Sequence, residues 1–354
     1  MFHFIQSLKK FNLPLFSTLD VCFDLGTANT IIAIKDKGKV LTEPTYIGYN
    51  TLTKQYIFFG KEAKTILGKT PDFLKVIRPI VNGVISDFDA EVSLVRSFIE
   101  KSVFVYLRKF SIIKPQLRAI AAVPHIATEI EQKAVEEMLS KIGFSNVVLV
   151  EKPIAVAAGS DINIFSHHPH LIADMGAGLI ELSIVSGGGI VVEKTLKTAG
   201  DSLNQAFAHY SYLKNGIILG EATCEEIKIS LLNFSSDDKT ITVRGKSLEN
   251  GLPKSVRIRS SDVKEALMNN FILIIDGIKE LIEISPPEIV DEIFKRGIMV
   301  TGGLANIKGL DRFLAEELKI DVHIGHLPQD HLINGLLKIG KNPELIQNLA
   351  IPKI

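Results

Sequence analysis

A turn of small residues, flanked by apolar runs in which strands are expected, is the first segment that could do chemistry. It follows Asp24 and comprises Gly26, Thr27, Ala28 and Asn29. Consecutive backbone N–H groups in such a turn point to one spot and form a nest that binds phosphates. Asp24 could hold Mg2+ through waters, since Mg2+ keeps several of its own, and Thr27 or Asn29 could donate a hydrogen bond to a phosphate oxygen. An ordinary hairpin turn also favours Gly and Asn and explains a single case at least as well.

The same pattern occurs a second time. Gly176, Ala177 and Gly178 follow Asp174, which lies 150 positions after Asp24. This repetition predicts an internal duplication of one α/β unit. Two similar units that face each other form a cleft, and small-molecule sites prefer such clefts.

A third glycine turn, Gly302-Gly303, follows a predicted strand that ends near Thr301. Three turns of this kind favour phosphate binding over three unrelated hairpins.

The elements between the turns alternate in type, which indicates α/β layers. Apolar residues at helical spacing predict helices, and short apolar runs predict buried parallel strands. The predicted elements are helices at 90–104, 128–142, 263–284 and 310–318, strands at 119–123 and 147–150, and a β-rich inserted subdomain at 235–259.

Composition narrows the choice of partner. The chain has 354 residues, with 40 basic and 40 acidic side chains and no block of like charge. We therefore predict no nucleic-acid partner, because such proteins usually carry a basic surplus or stripe. No apolar run approaches the roughly 18 residues that a transmembrane helix needs, and the first residues lack the pattern of a signal peptide.

Side chains that could ligate metal lack suitable spacing. Cys22 and Cys224 are predicted to be reduced, buried thiols of a cytosolic protein. His323, His326 and His331 are interpreted as surface residues.

The N-terminal segment, residues 1–11, has apolar residues at helical spacing and nearby lysines, and Pro14 ends the pattern. It fits a helix that lies in a membrane interface. It fits equally a helix packed on its own domain.

The motifs resemble, in order, those of the bacterial rod-shape actin family, MreB/Mbl. Residues 24–30 read Asp-Leu-Gly-Thr-Ala-Asn-Thr, like the first phosphate motif of that family. The other matching blocks are 40–45, 69–71, 77–79, 82–88, 151–153, 199–201, 220–225 and 296–303. The resemblance therefore covers more than 300 residues, from the first turn to the C-terminal motif at 333–338.

The resemblance implies an α/β, actin-like ATPase fold, with two duplicated RNase H-like domains and small inserted subdomains around a nucleotide cleft. Residues 1–15 would form an N-terminal amphipathic helix. The subdomains would be IA (16–47, 84–160 and 333–354), IB (48–83), IIA (161–197 and 263–332) and IIB (198–262).

The resemblance also implies ATP and Mg2+ as cofactors. Glu131 falls at the position of the catalytic glutamate, which would orient, or take a proton from, the water that attacks the γ-phosphate. A solvated helix carboxylate is the alternative interpretation. Asp24 and Asp174 would hold the metal. The nucleotide would contact Gly26, Thr27, Ala28, Asn29, Gly176, Ala177, Gly178, Glu221, Glu225, Lys228, Gly302 and Gly303.

The second turn departs from the family pattern Asp-Ile-Gly-Gly-Gly-Thr-Thr-Glu. Leu179 and Ile180 replace both threonines. A lost hydrogen bond to a charged group costs roughly 1.5–3 kcal/mol, enough to slow hydrolysis by about 10–100-fold. Leu304 stands where a third glycine is usual, and Leu336-Leu337 alter the C-terminal glycine motif. We therefore predict nucleotide binding and leave open whether the chain is a slow ATPase.

The family's partners follow from the same resemblance. It implies self-association into double protofilaments and contact with cell-wall elongation membrane proteins, which guides peptidoglycan synthesis and cell shape. The expected location is the cytoplasmic, inner face of the cell membrane, through residues 1–11 and also through residues 103–110. The alternative for 103–110 is a buried strand or a helix end.

Two other functions are compatible with the same fold. One is a non-filamentous ATP-binding adaptor at the membrane, similar to the division protein FtsA or to pilus-assembly ATPases. The other is a small-molecule kinase, for which this length leaves little room for a substrate domain.

Overall fold

A computed structural model describes residues 18–107 and 115–352. The predicted membrane helix at 1–11 and positions 108–110 of the second membrane segment lie outside these residues. The chain divides into two compact units: unit 1 comprises residues up to Gly159 and from Leu332 onward, and unit 2 comprises Ser160–His331.

Unit 1 is built on a five-stranded sheet. Its first strand runs parallel to the fourth, which is parallel to the fifth, while the first three form antiparallel hairpins. The strands are β1 (Thr18–Leu25), β2 (Asn29–Ile34), β3 (Gly38–Pro44), β9 (Gln116–Val123) and β10 (Asn146–Glu151), in the order β10-β9-β1-β2-β3.

A small insertion follows β3. Its three-stranded sheet has the order β5-β4-β6, and a separate strand pair follows it. The elements are β4 (Ile47–Asn50), β5 (Gln55–Phe59), α1 (Lys61–Thr65), β6 (Leu74–Ile77), β7 (Ile80–Val81) and β8 (Val84–Ile85).

Six further helices lie in the described part of unit 1. The predicted helix at 128–142 is confirmed with Thr128 as its N-cap, whereas the one at 90–104 is two successive helices. The helices are α2 (Phe88–Ser102), α3 (Phe104–Leu107), α4 (Glu129–Ile142), α5 (Lys152–Gly159), α11 (His331–Lys341, from Leu332 on) and α12 (Pro343–Leu349).

Unit 2 has a five-stranded sheet with the same connections. Its first two strands form a hairpin, and its first strand runs parallel to a later strand that is itself parallel to the last one. The strands are β11 (His170–Met175), β12 (Ile180–Ser186), β13 (Gly189–Leu196), β17 (Ile298–Thr301) and β18 (Val322–Ile324), in the order β13-β12-β11-β17-β18. The predicted duplication is thus visible in the order of both sheets.

Unit 2 also carries an inserted three-stranded sheet, at the position of the predicted β-rich subdomain. Its strands are β14 (Ile217–Ile218), β15 (Thr240–Ser247) and β16 (Pro253–Arg259). The helices of the unit are α6 (Gly200–Asn215), α7 (Glu221–Leu231), α8 (Ser260–Glu283), α9 (Pro287–Arg296) and α10 (Leu310–Leu318), with 3-10 turns at Gly303–Asn306 and Pro328–Asp330.

Each unit has its own apolar core. In unit 1, Phe23 of β1 meets Phe144 edge to face, with ring centroids 5.2 Å apart. In unit 2, Phe234 stacks on Phe313 and meets Phe271 of α8 edge to face. Such aromatic pairs contribute about 0.5–1.5 kcal/mol beyond the area they bury. No described helix is long and apolar enough to cross a bilayer.

One carboxyl group lies inside the core of unit 1. Glu91 of α2 is fully buried, and neither of its carboxyl oxygens has a hydrogen-bond partner among the described residues. Burial raises the pKa of Glu91 to about 8, because the charged form cannot be solvated there. The group is therefore protonated at neutral pH.

Both cysteines are buried, as predicted. Burial raises the pKa of the Cys22 thiol to about 12 and that of Cys224 to about 11. Such thiols are poor nucleophiles, because the thiolate is the reactive form.

The interpretation of His331 as a surface residue is wrong. His331 is 5% exposed, and its Nδ1 lies 2.9 Å from the Ser160 hydroxyl oxygen. The partner is 171 positions away in the chain, so no local pattern could have indicated the burial.

The altered C-terminal motif packs tightly within unit 1. A side chain at Gly335 of α11 would overlap the carbonyl oxygen of Ala155 on α5. Leu336, one of the departures, is fully buried beside it. The motif has therefore kept the glycine that the packing demands, while its neighbours have changed.

Candidate functional site

The first turn is closed by a short backbone hydrogen bond. The Gly26 N–H donates to the Asn29 carbonyl oxygen at 3.1 Å, where β1 passes into β2. Asp24, half-buried, stands two residues before the turn on β1. The structure thus gathers Asp24 and all four predicted phosphate-contacting residues at one end of a hairpin.

Two buried threonine hydroxyl groups hold the backbone of this turn in place. The Thr45 hydroxyl donates to the Gly26 carbonyl oxygen at 2.7 Å, and its oxygen lies 3.0 Å from that of Thr30. Both threonines are fully buried. A buried hydrogen bond of this kind contributes about 1 kcal/mol, and an orphaned partner would cost more. The network therefore fixes the backbone of the turn.

Thr27 has a structural partner of its own. Its hydroxyl oxygen accepts a 3.0 Å hydrogen bond from the Gly83 N–H, and the side chain is buried. The hydroxyl proton remains free to be donated. Thr27 therefore ties the turn to the β7–β8 segment and could still serve a ligand.

Glu131 lies beside the first turn. With Leu25, Gly83 and Pro124 it lines a small cavity of unit 1. Its Oε2 accepts hydrogen bonds from the Thr128 N–H at 2.8 Å and from the Thr128 hydroxyl at 2.9 Å, while the Glu131 N–H bonds back to that hydroxyl. This capping box, which begins α4, fixes the position of the carboxylate.

A histidine–glutamate pair adjoins this cavity and was not predicted from the sequence. His125 Nδ1 lies 2.6 Å from Glu151 Oε1, and both side chains are about one-third exposed. The pair forms because β9 and β10 are parallel, with Val123 opposite Glu151. The one available signal was that Glu151 directly follows one predicted parallel strand and His125 lies two positions after the other.

The turn of unit 2 has the geometry of the first. The Gly176 N–H donates to the Leu179 carbonyl oxygen at 3.0 Å. Asp174 stands two residues before the turn, as Asp24 does in unit 1, and is 7% exposed. The two turns therefore share one backbone design.

Other elements support the second turn. The N–H groups of Gly200 and Asp201, which begin α6, donate to the carbonyl oxygens of Gly176 and Ala177 at 3.1 and 2.8 Å. Lys228 of α7 donates to the Gly200 carbonyl oxygen at 2.7 Å. Gly200 and Asp201 belong to a block that matches the family, but the sequence did not predict them as site residues. Their role depends on contacts between segments more than 20 positions apart in the sequence.

The third turn lies against Asp174. The Thr301 hydroxyl donates to Asp174 Oδ1 at 3.0 Å. Gly302 follows with φ of +85°, and a Cβ there would come within 2.7 Å of the same carboxylate oxygen and 2.5 Å of the Met175 carbonyl oxygen. Only glycine fits this approach. Unit 2 thus brings the second and third predicted turns together.

The substituted residues of unit 2 face inward. Leu179 is 6% exposed and Ile180 fully buried, and Leu304 is 7% exposed. These side chains contribute to the apolar core and provide no hydroxyl or amide to a ligand. Any phosphate contact of this turn therefore comes from backbone N–H groups.

Three of the predicted nucleotide contacts, Glu221, Glu225 and Lys228, occupy one helix. Glu221 and Glu225 lie one turn apart near the start of α7, and Lys228 follows them. Glu221 is exposed and Glu225 half-exposed, while Lys228 is tied to Gly200. The helix thus connects these side chains directly to the support of the second turn.

Asp24 and Asp174 provide too few ligands for Mg2+ unless phosphate oxygens and waters complete its coordination. Among residues 18–107 and 115–352 there is no group of three or more acidic, histidine or cysteine side chains that could hold a metal ion. Asp24 and Asp174 are single carboxylates at strand ends. Mg2+ commonly binds through one or two carboxylates, waters and substrate phosphates, so either aspartate could serve.

The described part of the second membrane segment belongs to the core. Val103 and Leu107 are buried, and Phe104 and Tyr106 pack partly against the core of unit 1. Only Val105 is substantially exposed, at 48%. For residues 103–107 these contacts favour the alternative, a helix end.

Comparisons with known proteins agree with this geometry. The family model described as MreB/Mbl protein matches residues 18–348. The cell shape-determining protein Mbl of Bacillus subtilis strain 168 is 36% identical over 313 residues, which cover 88% of this chain and 92% of Mbl. The cell shape-determining protein MreB of Escherichia coli strain K12 is 33% identical over 327 residues, 91% of this chain and 92% of MreB.

Solved structures support the same assignment. MreB5 of Spiroplasma citri bound to ADP has a TM-score of 0.87 and 29% identity, covering 94% of this chain and 98% of MreB5. The same protein bound to AMPPNP gives a TM-score of 0.86. The MamK double helical filament, at 19% identity and a TM-score of 0.76 over 92% of this chain and 99% of that one, shares the fold. The predicted actin-like ATPase fold is confirmed, and the chain belongs to the MreB/Mbl family.

Proposed function

We propose that this protein binds ATP with Mg2+ and assembles into actin-like filaments that determine cell shape on the inner face of the cell membrane. The observation that carries the proposal is the repeated turn: a glycine N–H closes each one at 3.0–3.1 Å, and an aspartate stands two residues before it. Each such turn suits a phosphate group. The nucleotide-bound structures of MreB5 support this ligand.

The proposed function assigns a separate role to each group of site residues. Backbone N–H groups of the first and second turns would bind phosphate oxygens, and Asp24 and Asp174 would hold Mg2+ through waters. When bound, the metal neutralises charge on the phosphates. Glu131, held by its capping box, would orient a water or take its proton. α7, with Glu221 and Glu225, would contact the ribose and base.

Filament assembly and membrane location rest on other grounds. The MamK filament supports self-association, since it shares this fold. The apolar pattern of residues 1–11 supports attachment to the membrane, where cell-wall elongation proteins would be partners. Repeated copies along a filament would multiply a weak affinity of each subunit.

Two measurements test this proposal. Titration calorimetry with ATP and Mg2+ should give binding heat, and the same ligands should raise the midpoint of thermal unfolding. If neither effect is observed, the nucleotide site is excluded. Electron microscopy on anionic vesicles with ATP and Mg2+ should then show paired straight filaments.

The alternatives give different results in the same experiments. Monodisperse particles that bind ATP would indicate the non-filamentous adaptor. Transfer of phosphate to a small hydroxyl or carboxylate substrate would indicate a kinase. Deleting residues 1–11 should sharply reduce co-sedimentation with vesicles, and unchanged binding would exclude that helix as the anchor.

A further inference from the structure

The inserted sheet of unit 2 has one strongly basic face. Residues alternate along β15 and β16, so that Ile241, Val243, Val256 and Ile258 pack toward the core of the unit while their neighbours face outward. The outward residues include four cations: Arg244, Lys246, Arg257 and Arg259. All four are exposed. We name this surface the basic face.

Positive charge is in excess on the basic face. Between residues 240 and 259 the sequence contains a single acidic residue, Glu249, which lies in the turn between the strands. None of the four cations forms a salt bridge with an acidic side chain within 18–107 or 115–352. Lys254, the fifth cation, lies on the opposite side of β16, where its ammonium donates to the Asn215 carbonyl oxygen.

The register spreads the cations over the face. Arg244 lies opposite Ser255, Arg257 opposite Thr242 and Arg259 opposite Thr240. Like charges directly opposite each other would destabilise the hairpin, and this arrangement avoids such pairs. The face therefore keeps its positive charge at low cost to folding, although the whole chain has a net charge of zero.

Apolar side chains border the face at one end. Ile218 of β14 lies opposite Lys246 and is 48% exposed. Leu248 and Leu252, in the turn, are 40% and 62% exposed. A row of cations beside exposed apolar residues is the composition of protein surfaces that lie in a membrane interface.

We propose that the basic face and its apolar border dock on anionic lipid headgroups. The lipid surface fits better than nucleic acid for two reasons. First, the face carries no aromatic side chain on which a base could stack. Second, its border is apolar and would make no favourable contact with a phosphate backbone. The proposal deepens the membrane association proposed above, on which it rests, by naming the surface of contact and the lipid class.

The test measures co-sedimentation of the full chain with vesicles of neutral lipid, and of neutral lipid with about one-third anionic lipid. Each cation near an anionic surface contributes a factor of about five in affinity. The double variant Arg244→Gln/Arg257→Gln should therefore bind anionic vesicles about 10–30-fold more weakly. Binding of the parent should also fall steeply with added salt, because salt screens these interactions.

A matched control removes two exposed cations elsewhere. Lys133 of α4 and Lys279 of α8 are exposed and form no ion pair with another described residue. Lys133→Gln/Lys279→Gln should bind within about twofold of the parent. Thermal unfolding of both double variants checks that they fold. A loss equal to that of the basic-face variant would show a general charge effect and overturn the proposal.

Other outcomes separate this inference from the proposed membrane association. If the parent binds anionic vesicles and Arg244→Gln/Arg257→Gln binds equally well, the basic face is excluded while membrane association stands. If the parent binds no vesicle, both the basic-face proposal and the proposed membrane association are excluded. Assembly of the double variant without vesicles should match that of the parent; an equal loss there would make the face a contact between subunits. Tight binding of labelled DNA, lost in the variant, would identify a nucleic-acid surface.

Discussion

The two hairpins share a backbone but not a set of side chains. In unit 1 the turn is supported by buried hydroxyl groups, those of Thr30 and Thr45. In unit 2 the equivalent strand carries Ile180 in the core, and support comes from backbone N–H groups at the start of α6. Both solutions hold the closing hydrogen bond at 3.0–3.1 Å.

This difference separates two properties of a phosphate turn. Its shape depends on backbone hydrogen bonds, which any supporting element can provide. Its ability to position a water depends on side-chain hydroxyls and carboxylates. Unit 1 retains both properties, and unit 2 retains the first. We therefore expect hydrolysis, but not binding, to depend more strongly on unit 1.

The largest effect is expected from Glu131→Gln. Glutamine keeps the capping box, because its side-chain oxygen still accepts the Thr128 N–H, but it cannot take a proton. Phosphate release should fall by about 100-fold or more, with ATP affinity within about threefold. The control is Glu136→Gln on the same helix. Equal release by Glu131→Gln and the parent would exclude Glu131 as the catalytic carboxylate.

Introducing hydroxyl groups at the second turn tests whether their absence from unit 2 limits hydrolysis. Leu179→Thr/Ile180→Thr should raise phosphate release by about 10–100-fold, since one regained hydrogen bond to a charged group is worth roughly 1.5–3 kcal/mol. Both sites are buried, so the variant should also be less stable. Ile184→Thr, in the same strand, should lose stability without gaining rate. No gain in the double variant would show that these hydroxyls are not what limits hydrolysis.

A smaller effect is expected from Thr45→Val in unit 1. The substitution orphans the Gly26 carbonyl oxygen and breaks the contact with Thr30. Unfolding free energy should fall by about 1–3 kcal/mol and ATP affinity by about tenfold. Thr42→Val, on the exposed side of β3, is the control for urea unfolding and calorimetry. Unchanged affinity for both variants would show that the hydroxyl network does not shape the turn.

Glu91 should affect stability and leave nucleotide affinity unchanged. Its pKa is raised to about 8, so between pH 5 and 8 the unfolded chain loses this proton while the folded protein keeps it. The unfolded state then binds fewer protons, and unfolding free energy falls as pH rises through this window, by up to about 4 kcal/mol. Urea unfolding of Glu91→Gln should lose this slope. The exposed Glu137→Gln should keep it, and equal slopes in all three proteins would contradict the assignment.

Local patterns predicted much of this structure. The hairpins at Asp24 and Asp174, the helix at 310–318 and the long helix of unit 2 follow from periodicity and turn chemistry alone. The long helix begins at Ser260 rather than 263, because helix starts are less distinct than helix interiors.

Contacts between distant segments could not be predicted in this way. The support of Gly176 by Gly200, the bond from Thr301 to Asp174 and the burial of His331 join segments 24 to 171 positions apart. The basic face was equally hidden, because alternation along two strands distributes its cations so that no run of like charge occurs. Each of these features depends on which strands and helices become neighbours.

The close approach of α11 to α5 bears on how this chain can change over generations. Every missense mutation in the codon for Gly335 adds at least a methyl group, which would collide with the Ala155 carbonyl oxygen. The neighbouring positions, Leu336 and Leu337, have room for bulkier side chains than the glycine-rich motif of the family uses. During divergence of this segment, the residues on both sides of position 335 can therefore be substituted, whereas Gly335 itself must be retained.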